Sequence, residues 1–216
     1  VIGESGSGKS TLSNTLLKIC DIDHGNVYYK ENEISNLNGK KLDEFRNQVQ
    51  AIFQDPSASL NPNQTVEKIL SEGIYYHKIL ESKNEIKSRV TELLDNVNLD
   101  ESYLDRYPHQ LSGGQKQRLC IARAISLNPK LIICDEAVSA LDISTQNTII
   151  KLLNKLKKQL KLSYLFITHD LSVARHIADR ILVLKKGEIV ELNTAEKIFK
   201  SPKNSYTKKL ISALDF

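Results

Sequence analysis

Short apolar runs alternate with longer amphipathic segments along this chain of 216 residues. The apolar runs are of strand length and predict strands at 49–53, 131–134, 164–168, 181–184 and 188–191. A hairpin is predicted over 27–34, and helical spacing predicts helices up to residue 20, within 65–107, up to 127, over 151–161 and over 206–214. The alternation predicts an α/β fold, a mainly parallel sheet flanked by helices with an inserted all-helical segment.

Composition and charge narrow the class of protein. Hydrophobic residues make up 40% and charged residues 26% of the chain, which is typical of a folded domain and too apolar for a disordered one. The net charge is +4, and the main lysine run at 151–161 alternates with leucines at helical spacing. We therefore interpret that run as a solvated helix face and expect no nucleic-acid partner. The apolar runs are much shorter than the ~18 residues of a membrane span.

Cysteine and methionine usage add two expectations. The three cysteines lack CxxC spacing, so neither a disulfide framework nor a zinc site is expected. The sequence contains no Met, and we expect Val1 to lie inside a longer natural protein.

A glycine-rich segment with the complete pattern G-x-x-x-x-G-K-[ST] stands between a predicted strand end and a predicted helix. It consists of Gly3, Glu4, Ser5, Gly6, Ser7, Gly8, Lys9, Ser10 and Thr11. Successive backbone N–H groups from Gly6 to Ser10 predict a concave anion site at the positive end of the helix. We expect Lys9 to reach the β- and γ-phosphates of a nucleotide and the Ser10 hydroxyl to coordinate Mg²⁺.

Two adjacent acids follow the buried strand predicted at 131–134. The carboxyl end of such a strand delivers Asp135 and Glu136 to the crevice in which α/β sheets bind ligands. Asp135 is expected to hold the Mg²⁺ shell. Glu136 faces another way and is expected to polarise the attacking water.

A second helix N-terminus that is suited to bind a phosphate is predicted at Leu111-Ser112-Gly113-Gly114-Gln115. Because the first loop already cradles one phosphate tail, a second site on the same chain needs an explanation. Two chains facing head to tail supply one. Each nucleotide would then lie between the glycine-rich loop of one chain and Ser112, Gly113, Gly114 and Gln115 of the other.

Together these segments resemble the ATP-binding subunit of an ABC transporter, over nearly the whole chain. The sequence LSGGQ, after a Walker A loop and ahead of a Walker B strand, is highly specific to that superfamily. The resemblance implies ATP and Mg²⁺, and assigns Gln54 to a loop that contacts Mg²⁺ or the lytic water. It implies that Ser139 and Asp142 meet the partner chain and that His169 touches the γ-phosphate.

Two further segments resemble one branch of the superfamily, the peptide/nickel importer ATPases. The segment FQDPSASLNP at 53–62 is similar to a loop of that group, and Pro202, Tyr206, Thr207 and Leu210 are similar to its PxxxYTxxL tail. The sequence Asp-Glu-Ala at 135–137 departs from the more usual Asp-Glu-Pro, but the change removes no phosphate or metal ligand.

The resemblance implies one ABC ATPase domain over 1–216, with a helical subdomain at about 65–127 that ends in the signature helix and a peptide-importer tail at about 201–216. The family's first strands, with the aromatic residue that stacks on adenine, are expected before Val1.

The implied function is an ATP-hydrolysing subunit that energises import of peptides or nickel. Its implied partners are a second, related ATPase subunit, two membrane permease subunits and, indirectly, an extracytoplasmic substrate-binding protein. The implied location is peripheral, at the cytoplasmic face of the cell membrane. Oligopeptide, dipeptide and nickel or metal-chelate cargo remain open, as does the identity of the second ATPase subunit.

Other ABC ATPases are the alternatives. An exporter cassette is normally fused to membrane helices upstream, and translation-associated proteins carry two cassettes in one chain. DNA-repair members have very long coiled-coil insertions, whereas 57 residues separate Gln54 from Leu111 here.

Overall fold

This computed structural model describes residues 1–213, which contain seven strands and ten α-helices. In chain order they are α1 (Lys9–Leu16), β1 (Tyr28–Tyr29), β2 (Asn32–Glu33), α2 (Gly39–Gln48), β3 (Val49–Ile52), α3 (Pro56–Ser59), α4 (Val66–Tyr76), α5 (Lys83–Asn96), α6 (Gly113–Ile125), β4 (Leu131–Asp135), α7 (Ile143–Leu160), β5 (Ser163–Ile167), α8 (Leu171–Ile177), β6 (Arg180–Lys185), β7 (Glu188–Thr194), α9 (Ala195–Lys200) and α10 (Ser205–Ser212). Two short 3-10 helices, Glu101–Tyr103 and Pro108–Gln110, lie between α5 and α6.

The central sheet is parallel, in the order β3-β4-β5, and β4 lies in its middle. Ile132, Ile133 and Cys134 of β4 are fully buried, as expected for a strand that is covered on both faces. Ile2 makes parallel bridges to Thr168 and to Val183, so it connects this sheet to the antiparallel hairpin of β6 and β7. The residues that follow Ile2, β4 and β5 therefore meet at one carboxyl edge of the sheet.

Helices cover the sheet in three apolar clusters. The largest contains side chains of β3, β4 and β5 and of helices α4, α5, α6 and α7. A second contains Ile2 and side chains of β6, α8, α9 and α10. A third lies between β4, β5 and α2. Because α4, α5 and α6 pack on one another, the helical insertion predicted from the sequence is present, while its extent as a subdomain over 65–127 stays a prediction.

Most of the predicted elements are confirmed, with shifts at their ends, the largest at α7, which begins at Ile143 and not at 151. The helix predicted up to residue 20 is too long, because Lys18 takes a left-handed φ of 56° directly after the C-cap at Leu17. The sequence analysis missed α2, whose ten residues include only two large apolar side chains, Leu42 and Phe45. The predicted helix over 206–214 begins one residue earlier, and its end at 214, like the end of the 201–216 tail, lies outside the described residues.

The lysine run occupies the exposed face of α7. Leu152, Leu153 and Leu156 are buried, whereas Lys151 and Lys155 are exposed. This confirms the interpretation of the run as a solvated helix face. Within residues 1–213, no helix combines the length and the apolar character that crossing a membrane requires.

Candidate active site

A cleft of about 840 Å³ opens at the carboxyl edge of the sheet. The glycine-rich loop and the start of α1 form one side of it. Residues from three other connections also line it, namely Gln54 after β3, Glu136 after β4, and His169 and Leu171 after β5, and Leu210 of α10 adds to them. The fold thus brings together four segments of the chain that the sequence analysis selected separately.

The glycine-rich loop ends in a left-handed residue at the start of α1. Gly8 is the N-cap of α1 with φ 101°, a backbone conformation that glycine adopts without steric cost. No side chain caps this helix start, so the N–H groups of its first turn are available to an anion. The predicted series from Gly6 to Ser10 has one exception, because the Ser7 N–H donates to the Glu4 carbonyl within the loop at 3.2 Å.

Lys9 lines the cleft as a buried cation. Its side chain is held by two carbonyl dipoles, since Nζ donates to the oxygens of Gly3 and Glu4, each at 2.9 Å. The residue is 5% exposed. An ammonium group that is desolvated in this way, next to the positive end of a helix, favours the approach of a polyanion.

A second cavity of about 450 Å³ adjoins the first and contains the predicted metal ligands. Ser10, Gln54 and Asp135 all line it. Their donor atoms are a hydroxyl, an amide carbonyl and a carboxylate, the hard oxygen ligands that Mg²⁺ prefers, so these residues fit the ion. Burial raises the pKa of Asp135 above its ordinary value, and the neighbouring Glu136 carboxylate acts in the same direction.

The raised pKa of Asp135 predicts that this carboxylate costs stability in the nucleotide-free protein. A raised pKa means that the folded state disfavours the charged form, so the cost is absent at low pH and is fully present at pH 7. We expect Asp135→Asn to raise the thermal midpoint at pH 7 in buffer free of magnesium and nucleotide. An unchanged or lower midpoint in differential scanning calorimetry would contradict this expectation.

Glu136 and His169 form a pair across the cleft. The Glu136 Oε1 atom lies 2.9 Å from Nδ1 of His169. Because an ionised carboxylate only accepts, Nδ1 carries the proton and donates it, which leaves Nε2 directed away from Glu136. The sequence analysis selected both residues but did not predict their contact.

The backbone of Glu136 is strained, and hydrogen bonds hold it in this conformation. Its φ of 50° lies in the left-handed region, which costs a non-glycine residue on the order of 1–3 kcal/mol. Hydrogen bonds hold this conformation, because the Glu136 N–H donates to the Ile167 carbonyl at 2.9 Å. The N–H and Oγ of Ser139 both donate to the Glu136 carbonyl, at 3.1 and 3.0 Å.

The LSGGQ segment forms a well-capped helix start outside the cleft. Ser112 is the N-cap of α6, and its Oγ accepts the Gln115 N–H at 3.3 Å while Gln115 Oε1 accepts the Ser112 N–H at 2.8 Å. Gln115 Nε2 also donates to the Tyr103 hydroxyl at 2.8 Å. Ser112, Gly113, Gly114 and Gln115 lie outside both cavities of the described chain, so the structure does not bring them to the glycine-rich loop of the same chain.

The two glycines of this segment differ in their surroundings. A Cβ atom on Gly114 would lie 2.9 Å from Cγ2 of Thr145 in α7, so this glycine permits the close approach of two helices. A Cβ atom on Gly113 would have its nearest neighbour, Cδ2 of Leu141, at 3.9 Å. Nothing within the described chain therefore explains the glycine at position 113.

Ser139 and Asp142, predicted to meet a partner chain, both have internal bonds. Besides the Ser139 bonds to Glu136, Asp142 is the N-cap of α7 and accepts the N–H and Oγ1 of Thr145 at 3.0 and 2.6 Å. These hydrogen bonds lower the pKa of Asp142. Asp142 itself is exposed and free to make contacts beyond its own chain.

Sequence reasoning missed several residues around the site. Leu171 and Leu210 line the main cleft, and Arg123 of α6 lines the cavity that contains Asp135. The tail motif had drawn attention to Leu210 as a family feature, but its place at the cleft depends on how α10 packs. Arg123 carried no local signal, since one arginine in a helix is usually a surface residue.

Comparison with known proteins agrees with this geometry. Residues 1–139 match the protein family described as ABC transporter. The chain therefore belongs to the ABC transporter family, and it is an ATP-hydrolysing cassette of that family.

Curated relatives are similar over almost the whole chain. The oligopeptide transport ATP-binding protein OppF of Streptococcus mutans is 46% identical over 214 residues, which cover 99% of this chain and 70% of the relative. The dipeptide transport ATP-binding protein DppF of Lactococcus lactis is 43% identical over 216 residues, covering 99% of this chain and 69% of the relative.

Solved structures of cassettes have the same fold. The ATP-binding cassette MJ0796, as a dimer in a post-hydrolysis state bound to ADP and Pi, superposes with a TM-score of 0.79 at 33% identity, covering 90% of this chain and 83% of that one. The protein cbiO1 of Clostridium perfringens, part of the ABC transporter complex cbiONQ, gives 0.83 at 26% identity, covering 100% of this chain and 86% of that one.

Proposed function

We propose that this chain is the ATP-hydrolysing subunit of a peptide importer. The observation that carries the ATPase chemistry is the cleft in which Lys9, Ser10, Gln54, Glu136 and His169 meet. The names of the curated relatives, together with the FQDPSASLNP loop and the tail motif, support peptides as the cargo.

Substrate binding follows from the two cavities. The start of α1 and the ammonium of Lys9 bind the β- and γ-phosphates of ATP, since both offer positive charge at the same end of the cleft. Ser10, Gln54 and Asp135 would hold Mg²⁺ in the adjoining cavity. A bound ion would supply positive charge that neutralises the negative charge of the phosphates.

Hydrolysis requires a positioned water molecule, and the Glu136–His169 pair lies where it can orient one. Glu136 is a largely buried carboxylate at the edge of the cleft, placed to accept a proton from the water that attacks the γ-phosphate. His169 donates to Glu136 through Nδ1 and thereby orients the carboxylate. Because His169 lines the cleft and its Nδ1 is engaged by Glu136, Nε2 is the ring atom left to contact the γ-phosphate.

The second half of the site comes from a partner chain. Ser112 and Gly113 are exposed, lie outside the cleft of their own chain and begin a helix whose N–H groups suit an anion. Two chains in head-to-tail arrangement would place this helix start on the γ-phosphate bound by the other chain. The dimeric state of MJ0796 with ADP and Pi supports such an arrangement.

The partners and location of this chain are part of the proposal. It would act with a second cassette and two membrane permease subunits, and so be peripheral to the cytoplasmic face of the membrane. A substrate-binding protein outside the membrane would deliver the cargo to the permeases.

Cargo uptake tests this proposal. In a strain that lacks the gene, the wild-type chain should restore uptake of a labelled oligopeptide, and Lys9→Ala should not, because the phosphates lose their cation. Uptake of labelled Ni²⁺, measured in parallel, should be the same in all strains. Restored nickel uptake without restored peptide uptake would refute the peptide assignment and leave the ATPase assignment intact.

A further inference from the structure

The carboxyl-terminal helix α10 packs behind the glycine-rich loop, a contact to which the proposed function gives no role. Its start is fixed to β7, because the Glu191 carboxylate accepts the backbone N–H groups of Lys203 and Asn204 at 2.9 and 3.0 Å. The Asn204 side chain then caps the helix by accepting the Tyr206 N–H at 2.8 Å. Side-chain bonds to the backbone therefore hold the first turn of α10 in one position.

Tyr206 connects this helix to the loop. Its ring is 9% exposed and belongs to the apolar cluster that contains Ile2, the residue immediately before the loop. The Lys185 ammonium, at the end of β6, lies 4.7 Å from the centre of the same ring. The Tyr206 hydroxyl accepts a hydrogen bond from the Glu4 N–H at 3.4 Å.

This hydrogen bond and one made by Lys9 act on the same peptide unit. The N–H of Glu4 and the carbonyl of Gly3 belong to one planar group, so fixing the direction of one fixes the other. The Gly3 carbonyl accepts Lys9 Nζ at 2.9 Å. Tyr206 thus holds one end of the peptide unit whose other end holds the lysine of the nucleotide site.

The same face of α10 also reaches the cleft directly. Leu210 follows Tyr206 by four residues, which places both on one side of the helix. Leu210 lines the cleft together with Leu171, the first residue of α8. The tail therefore contributes an apolar part of the cleft wall as well as a contact to the loop behind it.

We propose that α10 is a positioning element of the nucleotide site. Tyr206 orients the Gly3–Glu4 peptide unit, which sets the position of Lys9, and Leu210 shapes the wall of the cleft. The inference rests on ATP binding in this cleft, as proposed above. Because Tyr206 acts through Lys9 and not through Glu136, it governs affinity for ATP and leaves the proton-transfer step unchanged.

Steady-state ATP hydrolysis by the full chain, assembled with its membrane subunits, tests the inference. Tyr206→Phe keeps the ring and its packing but removes the hydroxyl, so one hydrogen bond is lost. We expect the KM for ATP to rise about three- to tenfold with kcat changed less than about twofold, the pattern of lost ground-state binding. Titration with a fluorescent ATP analogue should show the same loss of affinity.

Tyr164→Phe is the matched control. The Tyr164 hydroxyl donates to the Leu153 carbonyl at 3.1 Å, is partly buried and lies outside the cleft lining. It should lose comparable thermal stability with an unchanged KM for ATP.

Two results would overturn the inference: equal KM values in the two variants, or a lower kcat at unchanged KM in Tyr206→Phe. A wild-type assembly that binds no ATP would instead refute the proposed function, so the two failures are distinguishable.

Discussion

Replacing Glu136 with Gln should slow ATP turnover by roughly 10²–10⁴-fold, the range for loss of a general base. The substitution is close to isosteric, and a Gln side-chain oxygen still accepts the proton that His169 Nδ1 donates at 2.9 Å in the wild-type protein. The strained backbone at position 136 is held by main-chain bonds and by Ser139, which the change leaves in place. The expected defect is therefore confined to accepting the proton of water.

Binding and turnover measured on the same assembled protein test this expectation. Affinity for a fluorescent ATP analogue should stay within about threefold of wild type while hydrolysis is lost, because Lys9 and the start of α1 are unaffected. Glu92→Gln is a suitable control, since it removes a carboxylate paired with Arg89 at 2.8 Å in the exposed part of α5. Turnover close to normal in the assembled Glu136→Gln protein would exclude the proposed role of Glu136.

The second large effect is expected at Gly113. A methyl group there has its nearest neighbour at 3.9 Å, and Ala favours a helix over Gly, so Gly113→Ala should fold with unchanged or higher thermal stability. In the assembled dimer the same methyl group would stand between the helix start and the partner's γ-phosphate. We expect hydrolysis to fall about 10²-fold, as when one backbone donor to a transition state is lost.

Gly114→Ala separates this effect from a general loss of structure. Its methyl group would lie 2.9 Å from Thr145 Cγ2, so the Thr145 side chain or the packing of α6 on α7 must shift, and both stability and activity should fall. Gly113→Ala should therefore lose ATPase activity without a lower thermal midpoint, whereas Gly114→Ala should lose both activity and thermal stability. Normal hydrolysis by Gly113→Ala would refute the placement of the LSGGQ segment on a partner's nucleotide.

The sequence predicts the position of functional residues that form a continuous motif directly after a strand. The glycine-rich loop, Asp135 and Glu136 follow strands of a parallel sheet, and strand ends of that kind meet at one edge whatever the details of packing. The buried run at 131–134 was recognisable as a central strand because it is apolar throughout. By contrast, α2 was missed because it is short and contains only two large apolar side chains, Leu42 and Phe45, among charged and polar residues.

Contacts between distant residues could not be predicted from patterns. The bond between Glu136 and His169 depends on the spacing of β4 and β5, and that between Tyr206 and Glu4 on the packing of α10. Lys9 was expected at the phosphates, but its bonds to Gly3 and Glu4 depend on the path of the loop, which no residue type specifies. Periodicity locates elements along the chain, while the site is made by loops that meet in three dimensions.

Ile2 lies between the two halves of the sheet, since it bridges both Thr168, directly after β5, and Val183 of β6. The glycine-rich loop begins at the next residue, so it is attached where the two halves of the sheet meet. A shift of the β6–β7 hairpin against the parallel strands would therefore move the backbone to which the loop is attached. Movement between the two halves of the sheet is thereby coupled to the residues that bind the nucleotide phosphates.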